Sequence, residues 1–187
     1  MIIHVAGTSG AGKSWVVRQV MAQSPTPEKA WAEGRTAPLG YYLDLGVGRK
    51  VFVVGAYEAP TGGCDTIKDV NRVYNLVQEE HGAGGNHVLY EGLFVMNHTR
   101  GLALARAVAP HLVTIQLTTP LEECFERIAA RRALQGRTEP VARANTEGNF
   151  TRCLNYCSKL RQAGHRVVKS TSAEAPERIL GLLREVE

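Results

Sequence analysis

The sequence predicts an α/β fold built on a parallel sheet, and three observations carry that expectation. Short apolar runs at 1–6, 50–55, 86–90, 111–117 and 166–169 alternate with stretches of helical spacing, the signature of strands joined by crossover helices. The first run passes straight into Gly7-Thr8-Ser9-Gly10-Ala11-Gly12-Lys13-Ser14, which fits the phosphate-binding pattern G-x-x-x-x-G-K-[ST]. No internal repeat and no linker interrupts the series, so residues 1–187 are expected to form a single domain.

Each element has its own warrant. MIIHVA (1–6) reads as a buried strand. Residues 15–21 read as a helix with Val16, Val17, Val20 and Met21 on one side. Residues 23–39 hold Pro25, Pro27, Gly34 and Pro38 and read as a loop, with one short helical piece at 28–33. GYYLDL (40–45) and KVFVVG (50–55) read as strands with a tight return between them. A Gly- and Pro-rich loop (56–66) leads into a helix at 67–81, with Val70, Val73, Tyr74 and Val77 in register. NHVLY (86–90) is a further buried strand ending at Glu91. A helix at 97–109 is closed by Pro110, and HLVTIQL (111–117) is the next strand. Thr119-Pro120-Leu121-Glu122 reads as a helix start with a Thr cap, Pro in the first helical position and Glu in the third. Its stripe is Leu121, Phe125 and Ile128, ending near Leu134. Residues 136–149 are polar without clear periodicity. A helix at 151–163 stops at Gly164, residues 166–169 form the last strand, and Pro176 opens a terminal helix with Ile179, Leu180, Leu182, Leu183 and Val186.

Composition narrows the class. Hydrophobic residues make 44% of the chain and charged residues 21%, which describes an ordinary globular protein. No apolar run approaches the ~20 residues of a membrane span, and Met1 leads directly into the first strand with no signal peptide, so a cytoplasmic protein is expected. Cys64, Cys124, Cys153 and Cys157 lack zinc-ligand spacing and read as reduced thiols. The net charge is +4, but residues 127–166 hold nine basic residues against two acidic ones, a local +7 against −3 elsewhere. Such asymmetry suits an anionic partner, for which a nucleotide alone would suffice.

The chemistry follows from the glycine loop. Backbone N–H groups at the start of a helix form a nest for phosphate oxygens. Gly7, Thr8, Ser9, Gly10, Ala11, Gly12, Lys13 and Ser14 would hold ATP, with Lys13 reaching the β- and γ-phosphates and Ser14 offering its hydroxyl to Mg²⁺. Glu91, at the end of a strand expected beside the first, is the candidate for the second metal-holding group. Asp is the usual residue there, so contact through water or with the substrate is the alternative. A hydroxyl acceptor needs a proton acceptor in line. Asp44, Glu58 and Asp65 are candidates, and Asp65 is favoured because Gly62 and Gly63 before it would admit a substrate opposite the glycine loop. Asp65 would equally serve as a helix cap. Arg127 and Arg131, four apart on one helix face, would bring positive charge to the migrating phosphoryl group, with Arg132 and Arg137 continuing into a lid at about 127–150. Tyr57, Tyr41, Tyr42 and Trp31 could stack on a base, although at least half of them suit a core equally well.

These residues together resemble the nucleoside- and nucleotide-kinase group of P-loop proteins, over nearly the whole chain. The resemblance implies a three-layer fold with five parallel strands in the order 2-3-1-4-5, helices on both faces and an arginine-rich lid. PLGYYLD, VVGAYEAPTGGCDTI and HVLYEGL resemble, more closely, the phage P-loop kinases that act on 5-hydroxymethyluracil in DNA. That resemblance implies ATP-dependent phosphorylation of a base hydroxymethyl group within the polymer, a step of thymidine hypermodification, in the host cytoplasm. Tyr57, Glu58, Gly62, Gly63, Cys64 and Asp65 would then line the acceptor site. The base would be flipped out or presented single-stranded, with the basic segment tracking phosphates. Two other readings keep the glycine loop: a small-molecule kinase for a nucleoside or nucleotide, and an ATPase or switch that transfers nothing. The residues leave oligomeric state and the choice of ATP or GTP open.

Overall fold

A computed structural model describes residues 1–59, 62–137 and 139–185. Among them the chain forms β1 (Ile2–Ala6), α1 (Lys13–Met21), β2 (Glu28–Ala30), β3 (Gly40–Leu43), β4 (Val51–Val54), a 3₁₀ turn (Cys64–Thr66), α2 (Val70–His81), β5 (His87–Glu91), α3 (His98–Val108), β6 (Leu112–Leu117), α4 (Leu121–Leu134), α5 (Arg143–Gln162), β7 (Arg166–Ser170) and α6 (Ala175–Arg184).

The strands build one sheet in the order β2-β3-β4-β5-β1-β6-β7. β1 sits inside it, with Ile2 opposite Val88 on β5 and Leu112 on β6, both parallel. β4 joins β5 and β7 joins β6, also parallel. The sheet is therefore seven-stranded and mixed, not five parallel strands alone. Its parallel part, β4-β5-β1-β6-β7, has the order 2-3-1-4-5 when those five strands are counted along the chain. β3 and β2 extend one edge antiparallel. The reason is local, because the short return between β3 and β4 can join only antiparallel neighbours.

β1 shows how the layers are divided. Ile3 and Val5 face the α1 and α6 side, packing with Val16, Val17, Ile179 and Leu183. Ile2 and Ala6 face the side of α2, α3 and α5, with Val77, Leu104, Tyr156 and Leu160. Alternation along the strand thus feeds two apolar clusters. His4, on the second face, stacks on Tyr90 with ring centroids 4.5 Å apart.

Several element boundaries differ from the sequence reading. Residues 28–33 are not helical: Glu28–Ala30 pair with β3 instead. The stretch between Pro27 and Gly34 is too short to nucleate a helix, whereas β3 offers an open edge and Glu28 and Lys29 charge the new one. The helix expected at 67–81 begins at Val70, because Lys68 takes a left-handed φ of 63°. Its cap is Asp69, whose carboxylate accepts from the Asn71 N–H at 2.8 Å, so Asp65 does not cap it. Thr119 does not cap α4 either; its hydroxyl donates to the Ala11 carbonyl at 2.9 Å, and Pro120 stands at the cap. α5 begins at Arg143 rather than near 151. Its first turns bury little beyond Thr146 and so show no apolar stripe, and Arg143 holds them through Glu122 and Glu147. Val186, expected on the face of α6, lies outside the described residues. Among the described residues no helix is long and apolar enough to cross a membrane.

Candidate active site

The site forms where the parallel strands β1, β4 and β5 end together. Residues 7–12 leave β1 as a tight loop and α1 begins at Lys13. Gly12 has a φ of 96°, a left-handed conformation natural to glycine, and it stands at the cap of α1. Two contacts from α4 and the residue pair before it brace the loop: the Thr119 hydroxyl on the Ala11 carbonyl, and Arg127 Nη1 donating to the Gly10 carbonyl at 3.5 Å. Lys13 is buried, and its Nζ donates to the Thr8 carbonyl at 3.0 Å.

Glu91 reaches the same place from β5. Its register opposite Val5 puts it beside the exit of β1. The side chain is 2% exposed, and its Oε1 accepts from the Ser14 hydroxyl at 2.8 Å. Burial raises its pKa above the usual carboxylate range, opposed by the Lys13 charge and the Ser14 hydrogen bond. Gly63 makes this geometry possible. It adopts a φ of 86°, and a Cβ there would collide with the Glu91 carboxylate and crowd the Tyr57 hydroxyl. Two residues on, Asp65 faces the cleft from the 3₁₀ turn. Protein atoms around its carboxyl raise the pKa, and Lys13 holds it down.

The cleft has a volume of about 780 Å³. Of the residues expected at the site, Ser9, Gly10, Gly12, Lys13, Ser14, Gly62, Asp65, Glu91, Arg127 and Arg131 line it. Gly7, Thr8 and Ala11, in the same loop, are buried. Others lie elsewhere. Cys64 is fully buried with its thiol toward the Val54 carbonyl. Tyr57 is packed in the core, with burial and then the Glu91 charge pushing its pKa well up. Its hydroxyl has no hydrogen-bond partner among the described residues. Glu58 is exposed and pairs with Lys29 at 2.9 Å. Asp44 accepts from the Gly46 N–H in a surface turn. Arg132 turns away to Glu139 and the Pro140 carbonyl, and with Arg137 it borders a separate cavity of about 460 Å³. Residues 60 and 61 of the loop lie outside the described residues.

The basic segment is also less bare than its sequence. Arg127 pairs with Glu123, Arg143 with Glu122 and Glu147, Arg132 with Glu139, and Arg166 with Glu185. Glu122, Glu123 and Glu185 lie outside the counted stretch, so folding sets three further carboxylates against the +7. Several cleft residues escaped the sequence reading: Trp15, Arg18, Thr66, Leu93, Ser172 and Ala173. Trp15 and Arg18 could have been found, because the buried face of α1 at Val16, Val17 and Val20 turns them outward. Ser172 had no local signal, since it depends on β7 lying beside β6.

Ser14 and Glu91 present two oxygen donors within hydrogen-bond distance, with Asp65 across the same cleft. That donor set suits a hard divalent cation such as Mg²⁺, which takes carboxylate and hydroxyl oxygens and keeps several waters.

Fold and cleft define a class: an α/β protein with a glycine loop, a helix start and a buried carboxylate gathered at the ends of parallel strands. No protein-family model matches the chain. It is 38% identical over 175 residues to the 5-hmdU DNA kinase of Pseudomonas phage PaMx11, spanning 90% of this chain and 89% of that protein. It is 25% identical over 178 residues to the 5-hmdU DNA kinase of Delftia phage PhiW-14, spanning 87% of this chain and 65% of that one. The chain belongs to the family of phage 5-hmdU DNA kinases. An uncharacterized protein of known structure from Eubacterium ventriosum aligns over 99% of this chain and 98% of its own, at 11% identity and a TM-score of 0.47.

Proposed function

We propose that this protein transfers the γ-phosphate of ATP to the hydroxymethyl group of 5-hydroxymethyluracil carried in phage DNA, working in the host cytoplasm. Its relatives bear that name, and one structural observation supports the chemistry: the Ser14–Glu91 pair stands beside Lys13 and shares a cleft with Asp65. The P-loop, Gly7–Ser14, binds the triphosphate through its N–H groups, and Lys13 carries positive charge to the β- and γ-phosphates. Ser14 and Glu91 would hold Mg²⁺, which when bound neutralises phosphate charge. Asp65 takes the proton from the hydroxymethyl oxygen as that oxygen bonds to the γ-phosphorus. The bond to the bridging oxygen breaks and ADP leaves. A raised carboxyl pKa suits this role, because it brings the base nearer the working pH. Arg127 and Arg131 stabilise the migrating charge from a lid within 127–150, and the whole of 1–187 acts as one domain.

One observation favours a second acceptor, a free nucleoside or nucleotide. Four of the eight arginines in the basic segment, Arg127, Arg132, Arg143 and Arg166, are paired with carboxylates, which leaves less charge for tracking a polymer. The test offers γ-labelled ATP with DNA containing 5-hydroxymethyluracil, with ordinary DNA, and with free nucleosides and nucleotides. Label on the modified DNA alone is the expected result. Label on a free nucleoside or nucleotide would move the acceptor to small molecules, and label nowhere would overturn the proposal.

A further inference from the structure

Trp15 is the one aromatic side chain that lines the cleft among the described residues, and it is 47% exposed. The fold does not explain that exposure. α1 buries Lys13, Val16, Val17 and Val20, and helical spacing puts Trp15 on the opposite side of the helix. The aromatics favoured by the sequence are committed elsewhere. Tyr41 and Tyr57 are buried. Tyr42 packs on Phe52 and donates to Glu80. Trp31 is exposed but does not border the cleft.

Arg18 connects this part of α1 to the acceptor loop. Three residues on from Trp15 and on the same side of α1, it donates from Nε to the Tyr57 carbonyl at 3.2 Å and from Nη2 to the Ala59 carbonyl. Those bonds tie α1 to the loop that carries Gly62 and leads to Asp65. Ser172 and Arg127 line the cleft on the other flank of the loop, where a Cβ on Gly12 would lie 3.0 Å from the Ser172 Cβ and 3.2 Å from Arg127 Nη1. Trp15 and Asp65 line the same cleft, and the loop that leads to Asp65 is held to α1 beside Trp15.

We infer that Trp15 is the stacking platform for the acceptor base, holding the extruded pyrimidine ring so that its hydroxymethyl group meets Asp65. The inference rests on the proposed function and names the residue that grips the base. Stacking tolerates any base, so Trp15 supplies grip while discrimination comes from the hydroxyl. Leu93 offers an apolar edge in the same cleft.

The test compares wild type, Trp15→Ala and Trp15→Phe for transfer to an oligonucleotide with one 5-hydroxymethyluracil. Truncation of a base-stacking aromatic should raise the acceptor KM by roughly 5- to 100-fold, leave the ATP KM within about twofold, and be largely rescued by Phe. Trp31→Phe leaves Trp15 as the single tryptophan. Its fluorescence should be quenched by that oligonucleotide and not by one with an abasic site at the same position. An unchanged acceptor KM in Trp15→Ala, a rise in ATP KM instead, or equal quenching by the abasic strand would overturn the inference. If wild type and Trp31→Phe label no modified DNA at all, the proposed function itself falls and takes the inference with it.

Discussion

Replacing His4 with Phe should flatten the pH dependence of stability. In an unfolded chain a histidine binds its proton near pH 6.5. In the fold His4 is fully buried, stacked on Tyr90 and edge-on to Tyr156 at 5.7 Å. Neither ring nitrogen has a hydrogen-bond partner among the described residues. Burial, helped by the Lys13 charge, pushes its pKa down to about 3. A depressed base means that the unfolded chain takes up a proton the folded one refuses. Stability is therefore complete above the unfolded pKa and drains as pH falls below it, by ~1.4 kcal/mol per pH unit until the folded pKa is reached. Between pH 7 and pH 5 the integrated loss is about 2 kcal/mol. A folded pKa one unit higher would barely change it. Phe keeps the ring's shape and stacking but binds no proton. His87, with a pKa lowered to about 4, and His81 and His98, also lowered, act in the same direction. They are common to both proteins and cancel in the difference. Urea unfolding at pH 7, 6 and 5 measures it. The gap between His4→Phe and wild type should widen in favour of the variant by about 2 kcal/mol from pH 7 to 5. Parallel curves would refute the reasoning.

Three further outcomes concern the cleft. Gly63→Ala should cost about 3 kcal/mol of stability, because the new side chain is forced into a glycine-only conformation against Glu91; thermal melts that match wild type would count against this. Asp65→Asn should lower kcat by roughly 10²- to 10⁴-fold while ATP affinity changes little, and an unaltered kcat would remove Asp65 as the base. Glu91→Gln should remove a pH-dependent penalty. The folded carboxyl has a raised pKa, so the fold loses stability as pH rises above the unfolded carboxyl value, and the Gln variant should gain on wild type in melting experiments as pH is raised from below to above the ordinary carboxylate range. A Gln variant that loses ground as pH rises would contradict the burial of a strained carboxylate.

The glycine loop was legible because its chemistry is contiguous. Gly7 through Ser14 need only a strand before them and a helix after them. Glu91 was legible for a related reason: an apolar run that ends in a carboxylate brings it to a sheet end, and a parallel neighbour brings it to the loop's end. Tyr57 and Cys64 were misplaced since they share a loop with Asp65 while alternating into the core, and loop sequences carry no period that tells inward from outward. The start of α5 was hidden because its ordering contacts are ion pairs to Glu122 and Glu147 rather than an apolar stripe.

By itself, then, the chain's sequence determined the αβ alternation, the glycine loop between a strand and a helix, and the carboxylate at a strand end, all encoded in short contiguous stretches. Tertiary structure decided what depends on neighbours distant in the chain. It added β2 at the open edge of β3 and paired the basic segment with Glu122, Glu123 and Glu185. It also turned Trp15 and Arg18 of α1 toward the cleft that Asp65 lines. Which side chains face each other across a cleft is set by strand order and helix rotation, and those are fixed only when the apolar faces on both sides of the sheet are buried together.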